Sequence, residues 1–436
     1  IQNPESLMRT TLDELYNIFL TVRTISTDSR QIPDGCLFFA LKGENFDGNV
    51  YAKNAVEKGA AYAVIDDASF EGEKTLLVDD VLTTLQQLAL MHRRKHNIPV
   101  LAITGSNGKT TTKELINAVL SRKYRVTATR GNFNNHIGVP LTLLQITADT
   151  ELAIIEMGAN HQGEIAQLCT FAEPTYGMIT NIGKAHLDGF GGYQGVIKAK
   201  SELYAWLRNT GGQVFVNAGN ELLMELTTGM NRILYGSDQS VFCNGTAGTN
   251  SEMLVIQWNS NNGPIHIQTH LVGNYNFENA MAAICIGVAF NVSTEEIQSA
   301  ISEYIPSNSR SQAMKTVRNS IILDAYNANP TSMQAALSNF SQVKADHKMV
   351  ILGDMLELGN ESPAEHQAII NLVQESAFEK AVFVGPEFKK AAGQRFICFT
   401  HSVEAYQWLL EQKPEGYTIL VKGSRGIKME KVLDAL

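Results

Sequence analysis

Four short stretches carry residue types and spacings suited to chemistry. The first, "AITGSNGKTTTKEL" at residues 102–115, ends a nucleotide-binding phosphate loop with Gly108, Lys109 and Thr110. Ile103 stands where the pattern G-x-x-x-x-G-K-[ST] would place its first glycine, so the loop reads as a shortened variant. Gly105, Ser106, Asn107 and Gly108 form the turn, and Lys109, Thr110 and Thr111 open the helix that follows. Backbone N–H groups of such a turn, together with a helix N-terminus, cradle phosphate. Lys109 is suited to the outer phosphates and the Thr110 hydroxyl to Mg²⁺. A bare G-K-T arises by chance; a strand before it and an amphipathic helix after it make it a phosphate site.

The other three stretches supply further polar groups. Glu156 closes the apolar run of "ELAIIEMGAN", and His186 lies in the glycine-flanked "TNIGKAHLDGFG". Taken singly, a strand-end carboxylate and a loop histidine are ordinary surface residues. The apolar neighbours of Glu156 make a purely surface role harder to sustain, and a parallel sheet would set it beside the phosphate-loop strand at the carboxyl edge. "GVIKAKSELY" offers Lys198 and Lys200 two residues apart on a helix, so only one of them can face a site beside His186.

These residues need elements to hold them. "PVLAITG" reads as a buried strand and "KTTTKELINAVL" as an amphipathic helix. "LAIIEMG", "YGMITNIG" and "GQVFVNAG" are short apolar runs closed by glycine, the pattern of parallel strands buried on both faces. Before them, "VYAKNAVEKG" is a helix stopped by Gly59, "AAYAVID" a strand, and "VLTTLQQLALMHRRKH" a helix running up to Pro99. "EMLVIQW" and "GPIHIQTHL" read as a hairpin. After "YIPSNSRSQ" the alternation restarts with "SIILDAYNANP", "KMVILGDMLELG", "KAVFVGP" and "YTILVKGS", each expected to lead into a helix. The chain is therefore expected to be α/β with three domains, at 1–97, 98–305 and 306–436, the second with a parallel sheet and the third an open α/β unit. No repeat of solenoid period is present.

Composition narrows the function. A chain of 436 residues that is 44% hydrophobic has length and apolar content for several cores. A net charge of −9 with no long Lys/Arg run argues against a nucleic-acid binder, while leaving small anionic ligands open. Cys36, Cys169, Cys243, Cys285 and Cys398 are scattered, odd in number and without C-x-x-C, which favours buried free thiols over a disulfide framework or zinc site. "IQNPESLMRT" lacks a basic-then-apolar leader pattern, and no apolar run approaches the ~18 residues of a membrane span. A cytoplasmic protein without membrane insertion is expected.

The motifs together carry a resemblance. "TGSNGKTTTKEL", "GNFNNHIGVPLTLL", "IIEMGANHQGEI", "TNIGKAHLDGFG", "IKAKSELY", "GNYNFENAMAA", "DAYNANPTSM", "GDMLELG" and "VKGSRGIKME", in that order, resemble the Mur ligases over residues 27–430. The resemblance implies a UDP-substrate domain, a central P-loop ATPase and a C-terminal Rossmann-like domain. It implies amide-bond formation through an acyl phosphate, with ADP and phosphate released, in peptidoglycan precursor synthesis and hence cell-wall growth, shape and division. The substrates implied are UDP-N-acetylmuramoyl-tripeptide and D-alanyl-D-alanine, the cofactors ATP and Mg²⁺, and the protein a monomer.

Residue by residue, Lys109 and Thr110 resemble the family's phosphate and Mg²⁺ residues, and Glu156 and His186 its metal-linked pair. Lys200 stands where family members carry a lysine carbamylated by CO₂, a change that turns a cation into an oxygen anion able to bind metal. Asn274 and Asn279 fall where adenine and ribose are held, and Arg310 and Asp324 match nucleotide contacts from the third domain. Helix capping or turn hydrogen bonding is the plainer use of Asn279 and Asp324. Ser29, Arg30 and Lys42 match UDP-sugar contacts. Asn134 and Asn135 match muramoyl-peptide contacts, and "YNANP", with Asn327 and Asn329, the incoming dipeptide.

Other readings remain beside this one. Folylpolyglutamate synthase shares the ATPase core but has its P-loop near the start, whereas about 97 residues precede it here. Among other amino-acid-adding Mur ligases, the one that adds diaminopimelate or lysine usually carries D-N-P-R in the third domain, where this chain reads "NANPTSM". A non-catalytic nucleotide or UDP-sugar sensor would have no need of Lys109, Glu156, His186 and Lys200 together.

Overall fold

The computed structural model describes residues 9–248, 253–260, 262–306 and 310–436. The first eight residues of the opening stretch, Glu252 at the start of the expected hairpin and residues 307–309 of the linker "YIPSNSRSQ" lie outside the described residues. The chain forms two compact units, residues 1–100 with 127–157 and 166–174, and residues 101–126 with 158–165 and 175–436.

The first unit contains a parallel sheet of four strands in the order Ile25–Ser26, Leu37–Phe39, Tyr62–Ile65 and Thr75–Leu77. Phe38, Ala40, Ala63, Ile65 and Leu77 pack with Ala52 and Ala55 of the helix Ala52–Glu57 to make its core. Gly59, at φ 114°, turns the chain out of that helix as the sequence predicts. Local chemistry fixes the two longer helices. Thr11 and Glu14 form a reciprocal capping box on Leu12–Val22. Asp80 caps Val81–Lys95, whose last turn carries Arg93, Arg94 and Lys95 where cations suit the helix dipole. The fully buried strand Leu152–Glu156 also belongs to this unit.

The second unit holds two sheets. In the first, Val100–Thr104, Tyr176–Ile179, Gln213–Asn217, Asn231–Gly236 and Cys243–Ala247 are successive parallel neighbours. Met253–Ser260 and Gly263–Val272 extend them as the expected antiparallel hairpin. The second sheet runs Gln312–Lys315, Ser320–Asp324, Thr418–Lys422, Lys348–Gly353, Lys380–Val384, Ile397–Phe399, with an antiparallel first strand and five parallel ones. Its core joins Ile321, Leu323, Ile351, Val382, Ile419 and Val421 to Leu409 and Val432. No helix among the described residues is long and apolar enough to cross a membrane.

Two expectations need correction. "YTILVKGS" does not lead into an α-helix: two 3₁₀ segments follow, Arg425–Ile427 and Met429–Ala435, broken by Lys428 in the left-handed conformation at φ 58°. Four of the five free cysteines are buried, but Cys398 is only half-buried because Ile397–Phe399 is an edge strand.

Candidate active site

The phosphate loop is built as its residue types require. All five positions of Val100–Thr104 are buried, and the helix Lys109–Leu120 begins directly after Gly108. Gly108 is left-handed at φ 78°, and a Cβ there would meet Asn279 Oδ1 at 2.5 Å. A Cβ on Gly105 would meet Thr180 Oγ1 at 2.0 Å. The close approaches explain both glycines, and with Ile103 inside the strand the functional turn is residues 105–108.

A neighbouring loop straps this turn in place. Ser106 N donates to Asn181 O at 2.9 Å and Asn107 N to Asn181 Oδ1 at 3.1 Å. Thr180 Oγ1 and Asn181 Nδ2 both donate to Asn107 O, at 2.6 and 3.1 Å. Ser106 Oγ donates to Gly183 O at 3.0 Å and accepts from Gly183 N at 2.9 Å. Lys109 Nζ donates to Gly105 O at 2.6 Å, which sets the amine over the turn. Thr110, 2% exposed in the first helical turn, and Thr111 follow it. Asn279 supports the helix from below: its Oδ1 accepts from Thr112 Oγ1 at 3.0 Å, and its Nδ2 donates to Asn276 Oδ1 at 2.9 Å. Asn274 is exposed, and its backbone N donates to Asn339 Oδ1 at 3.1 Å.

His186 and Lys200 lie in the same unit. His186 is left-handed at φ 52° and precedes the short helix Leu187–Phe190. Its Nδ1 faces the carboxylate of Glu357, itself left-handed at φ 64°, within ion-pair distance but off the line of a good hydrogen bond. That contact lowers the Glu357 carboxyl from its ordinary range. Lys200, on Tyr193–Thr210, is 2% exposed while Lys198 is exposed, so the helix separates the two lysines as their spacing requires. Burial first, and the Lys109 cation second, bring the Lys200 amine down to about 7. Its Nζ lies 5.1 Å from the centroid of the Phe190 ring.

The C-terminal sheet contributes from its carboxyl edge. Asn329 caps the helix Pro330–Gln342 through Oδ1, while its Nδ2 donates to Asn107 Oδ1 at 2.7 Å. Thr331 Oγ1 accepts from Lys184 N at 3.1 Å, and Lys184 Nζ donates to Glu365 Oε1 at 2.5 Å. Asp324 accepts from the buried Lys422 amine at 2.6 Å, and Lys422 also reaches Asn327 O at 3.3 Å. Asn327 Oδ1 accepts from Ala328 N at 2.9 Å. The Arg310 guanidinium lies 3.7 Å from the centroid of the Tyr326 ring.

The remaining candidates belong to the first unit. Arg30 makes a bidentate pair with Asp28 at 2.9 and 2.8 Å, and Ser29 O accepts from Lys58 Nζ at 3.0 Å. Lys42 Nζ lies 2.8 Å from Asp66 Oδ1. Glu156 is 1% exposed, and its Oε1 accepts from Asn134 Nδ2 at 2.8 Å. Asn135 Oδ1 accepts from Gly138 N at 2.9 Å.

Thr180, Asn181, Tyr326, Thr331 and Glu357 are structurally engaged yet were not singled out by their types alone. The signal available was their place inside "TNIG", "YNANPT" and "GDMLELG", next to residues that were.

Fold and loop together define a P-loop α/β protein in which a second open α/β sheet reaches the phosphate turn through Asn329. The sequence profile of the Mur ligase middle domain matches residues 103–287, that of the Mur ligase, glutamate ligase domain residues 309–425, and that of the Mur ligase family, catalytic domain residues 21–103. The chain belongs to the Mur ligase family. It is 34% identical to the UDP-N-acetylmuramoyl-tripeptide–D-alanyl-D-alanine ligase of Bacillus subtilis over 100% of this chain and 98% of that protein. Its identity to the Escherichia coli ligase of the same name is 33%, over 97% and 95%. The crystal structure of MurF from Acinetobacter baumannii superposes with a TM-score of 0.85 at 32% identity, covering 95% of this chain and 93% of that one. MurF from Thermotoga maritima in complex with ADP shares the fold, with a TM-score of 0.84 at 23% identity over 95% and 97%.

Proposed function

We infer that this Mur ligase uses ATP to join D-alanyl-D-alanine to UDP-N-acetylmuramoyl-tripeptide in peptidoglycan precursor synthesis. The observation that carries the reading is the bond between Asn329, in the loop matched to the dipeptide, and Asn107 in the phosphate turn. Full-length similarity to ligases of that name supports it. The chain is an ATP-dependent ligase that forms an amide bond.

An amine does not displace oxide from a carboxylate at neutral pH, so the terminal carboxylate of the tripeptide must first take the γ-phosphoryl group of ATP. The products are an acyl phosphate and ADP. The dipeptide amine then attacks the carbonyl carbon, a tetrahedral oxyanion forms, phosphate leaves and the amine loses its proton. The amide N–H groups of residues 105–108 and the Lys109 amine hold the phosphates and stabilise charge on the transferring group. The donor chemistry fits Mg²⁺, which asks for one or two protein oxygens beside phosphate and water: Thr110 Oγ1 stands in the first turn after the phosphate loop. Mg²⁺, when bound, neutralises charge on the phosphates. Glu156, His186 and Lys200 are its further candidate ligands, Lys200 as a carbamate, for which an amine brought down to about 7 is suited.

Asn274, Asn279, Arg310 and Asp324 are assigned to the nucleotide, Ser29, Arg30 and Lys42 to the UDP-sugar, Asn134 and Asn135 to the muramoyl-peptide, and Asn327 and Asn329 to the dipeptide. For Asn279 and Asp324 the role is indirect, because Asn279 supports the P-loop helix and Asp324 holds Lys422. Three functional domains, 1–97, 98–305 and 306–436, divide these tasks, in keeping with the profile matches at 21–103, 103–287 and 309–425. The enzyme acts as a cytoplasmic monomer. Incubation with ATP, Mg²⁺, UDP-N-acetylmuramoyl-tripeptide and D-alanyl-D-alanine should yield the pentapeptide by mass. A folded sample that makes no such product refutes the reading.

A further inference from the structure

The motif "TNIGKAHLDGFG" contains Lys184, a cation with no part in the ligation as derived above. It stands between two parts of the second unit. On one side its neighbour Gly183 is tied twice to the phosphate turn: Ser106 Oγ donates to Gly183 O at 3.0 Å and accepts from Gly183 N at 2.9 Å. On the other side Lys184 meets two helices of the C-terminal sheet. Its backbone N donates to Thr331 Oγ1 at 3.1 Å, in the first turn of Pro330–Gln342. Its Nζ donates to Glu365 Oε1 at 2.5 Å, in the first turn of Ser362–Glu375. Gly183 is what permits this approach, since a Cβ there would meet Thr331 Oγ1 at 2.8 Å.

The two ends of the ion pair differ in their access to water. The Glu365 side chain is 9% exposed and that of Lys184 48%. A carboxylate so far from water calls for a cation, and its own helix, Ser362–Glu375, has no Lys or Arg to offer. The cation comes instead from the loop that grips the phosphate turn. Two residues beyond Lys184, His186 faces Glu357. The stretch 183–186 is therefore held by Ser106 on one side and by Thr331, Glu357 and Glu365 on the other.

This junction bears on the fate of the acyl phosphate. Water can take the place of the dipeptide amine: its oxygen attacks the carbonyl carbon, the carbon–oxygen bond to phosphate breaks, and carboxylate and hydrogen phosphate return with release of a proton. ATP is then spent and no amide forms. A site whose walls stay together through the lifetime of the intermediate suppresses that loss. We propose that Lys184 is a positioning residue: paired with Glu365, it holds the C-terminal sheet to the phosphate turn while the acyl phosphate exists, and so sets how much ATP goes to amide rather than to hydrolysis. The proposal rests on the acyl-phosphate reading of the reaction.

The test measures phosphate and pentapeptide from one reaction of the full chain with ATP, Mg²⁺, UDP-N-acetylmuramoyl-tripeptide and D-alanyl-D-alanine, beside a control without the tripeptide. Wild type should release phosphate and pentapeptide in equal amounts. In Lys184→Ala the tripeptide-dependent phosphate released without amide should rise about fivefold, the upper end of what an ion pair half open to solvent contributes. Glu365→Gln removes the charge at the other end and should do the same, and the double variant should add little to either single one. Lys184→Arg keeps the charge and should stay near wild type. Lys184→Ala leaves a buried carboxylate unpaired and is the variant at risk of unfolding; Glu365→Gln avoids this, and where the two disagree its ratio of phosphate to amide decides. Excess phosphate that appears without tripeptide would put the defect in the phosphate turn and overturn the proposal. So would single variants as well coupled as wild type, phosphate and amide that fall together, or losses that add in the double variant. A folded wild type that makes no pentapeptide refutes the reading of the reaction itself, and this proposal with it.

Discussion

Asn329 Nδ2 donates to Asn107 Oδ1 at 2.7 Å, which makes the cap of one helix a contact of the phosphate turn. The same side chain therefore has two tasks that can be separated. Asn329→Asp keeps an oxygen for Ser332 N and so preserves the cap, but it replaces a donor with a negative charge beside the turn that is to hold phosphate. Thermal stability should stay close to wild type while the KM for ATP rises. Asn329→Ala should lose both tasks, costing about 1 kcal/mol of stability from the cap. Melting curves and ATP kinetics on the two variants check this; a loss of melting temperature in Asn329→Asp equal to that in Asn329→Ala contradicts the division.

The phosphate turn itself is sterically closed around its glycines. Gly108→Ala would force a Cβ to within 2.5 Å of Asn279 Oδ1 at a backbone φ of 78°. The strain should displace the start of the P-loop helix, weakening ATP binding by about 5–150-fold, on the order of 1–3 kcal/mol. Binding of the UDP substrate, whose contacts are assigned to the first unit, should be little affected, and the same is expected of Lys109→Ala. Removing the obstructing amide in Gly108→Ala/Asn279→Ala should recover only part of the loss, because the left-handed φ remains strained. Nucleotide binding measured by calorimetry on the single and double variants decides; full recovery would show that sterics alone fix the position.

What was legible in the sequence follows from the range of the interactions involved. The helix Lys109–Leu120 was readable to its ends because glycine, turn and amphipathic spacing are local signals. Short strands with few apolar residues, such as Gln312–Lys315 and Cys243–Ala247, give no such signal; they exist because a neighbouring strand supplies their hydrogen bonds. The site divides in the same way. Lys109, Glu156 and His186 were marked by type and neighbours and Lys200 was chosen over Lys198 by the family resemblance, whereas the grip of Asn181 on Asn107 spans 74 positions and the pairing of Lys422 with Asp324 spans 98. Nothing within either stretch announces its partner. The isolated motif could therefore name Asp324 but not what it holds.

Arg30 offers a test of binding apart from chemistry. It is strongly exposed and donates through Nε and Nη2 to the two oxygens of Asp28, whose carboxyl is lowered to about 2 chiefly by that contact. Such a pair presents an oriented cation at little cost in reorganisation. Arg30→Ala should raise the KM for the UDP substrate with kcat near wild type, because a contact remote from the reacting carboxylate acts equally in ground and transition states. Loss of kcat at unchanged KM would be incompatible with that assignment.

Lys200 yields the prediction with the clearest dependence on pH. Its amine, 2% exposed and near the Lys109 cation, is brought from the ordinary lysine value down to about 7. The neutral form, which adds CO₂ and releases a proton to become a carbamate, therefore prevails above about 7 and gives way to the ammonium below it. Activity that depends on the carbamate should fall as pH drops through that value, and added bicarbonate should restore CO₂-depleted enzyme better at higher pH than at lower. On the proposed metal-side role, Lys200→Ala should reduce kcat by on the order of 100-fold or more, the size of loss that removal of a transition-state electrostatic group brings. Acetate or formate should return part of it by placing a carboxylate oxygen in the space left by the side chain. Lys198→Ala, on the exposed face of the same helix, should change kcat by no more than about twofold. A carbamate would also add mass to the intact protein, lost on acidification and absent from Lys200→Ala. Normal turnover in Lys200→Ala, or greater sensitivity at Lys198, would require the metal-side ligands to be reassigned.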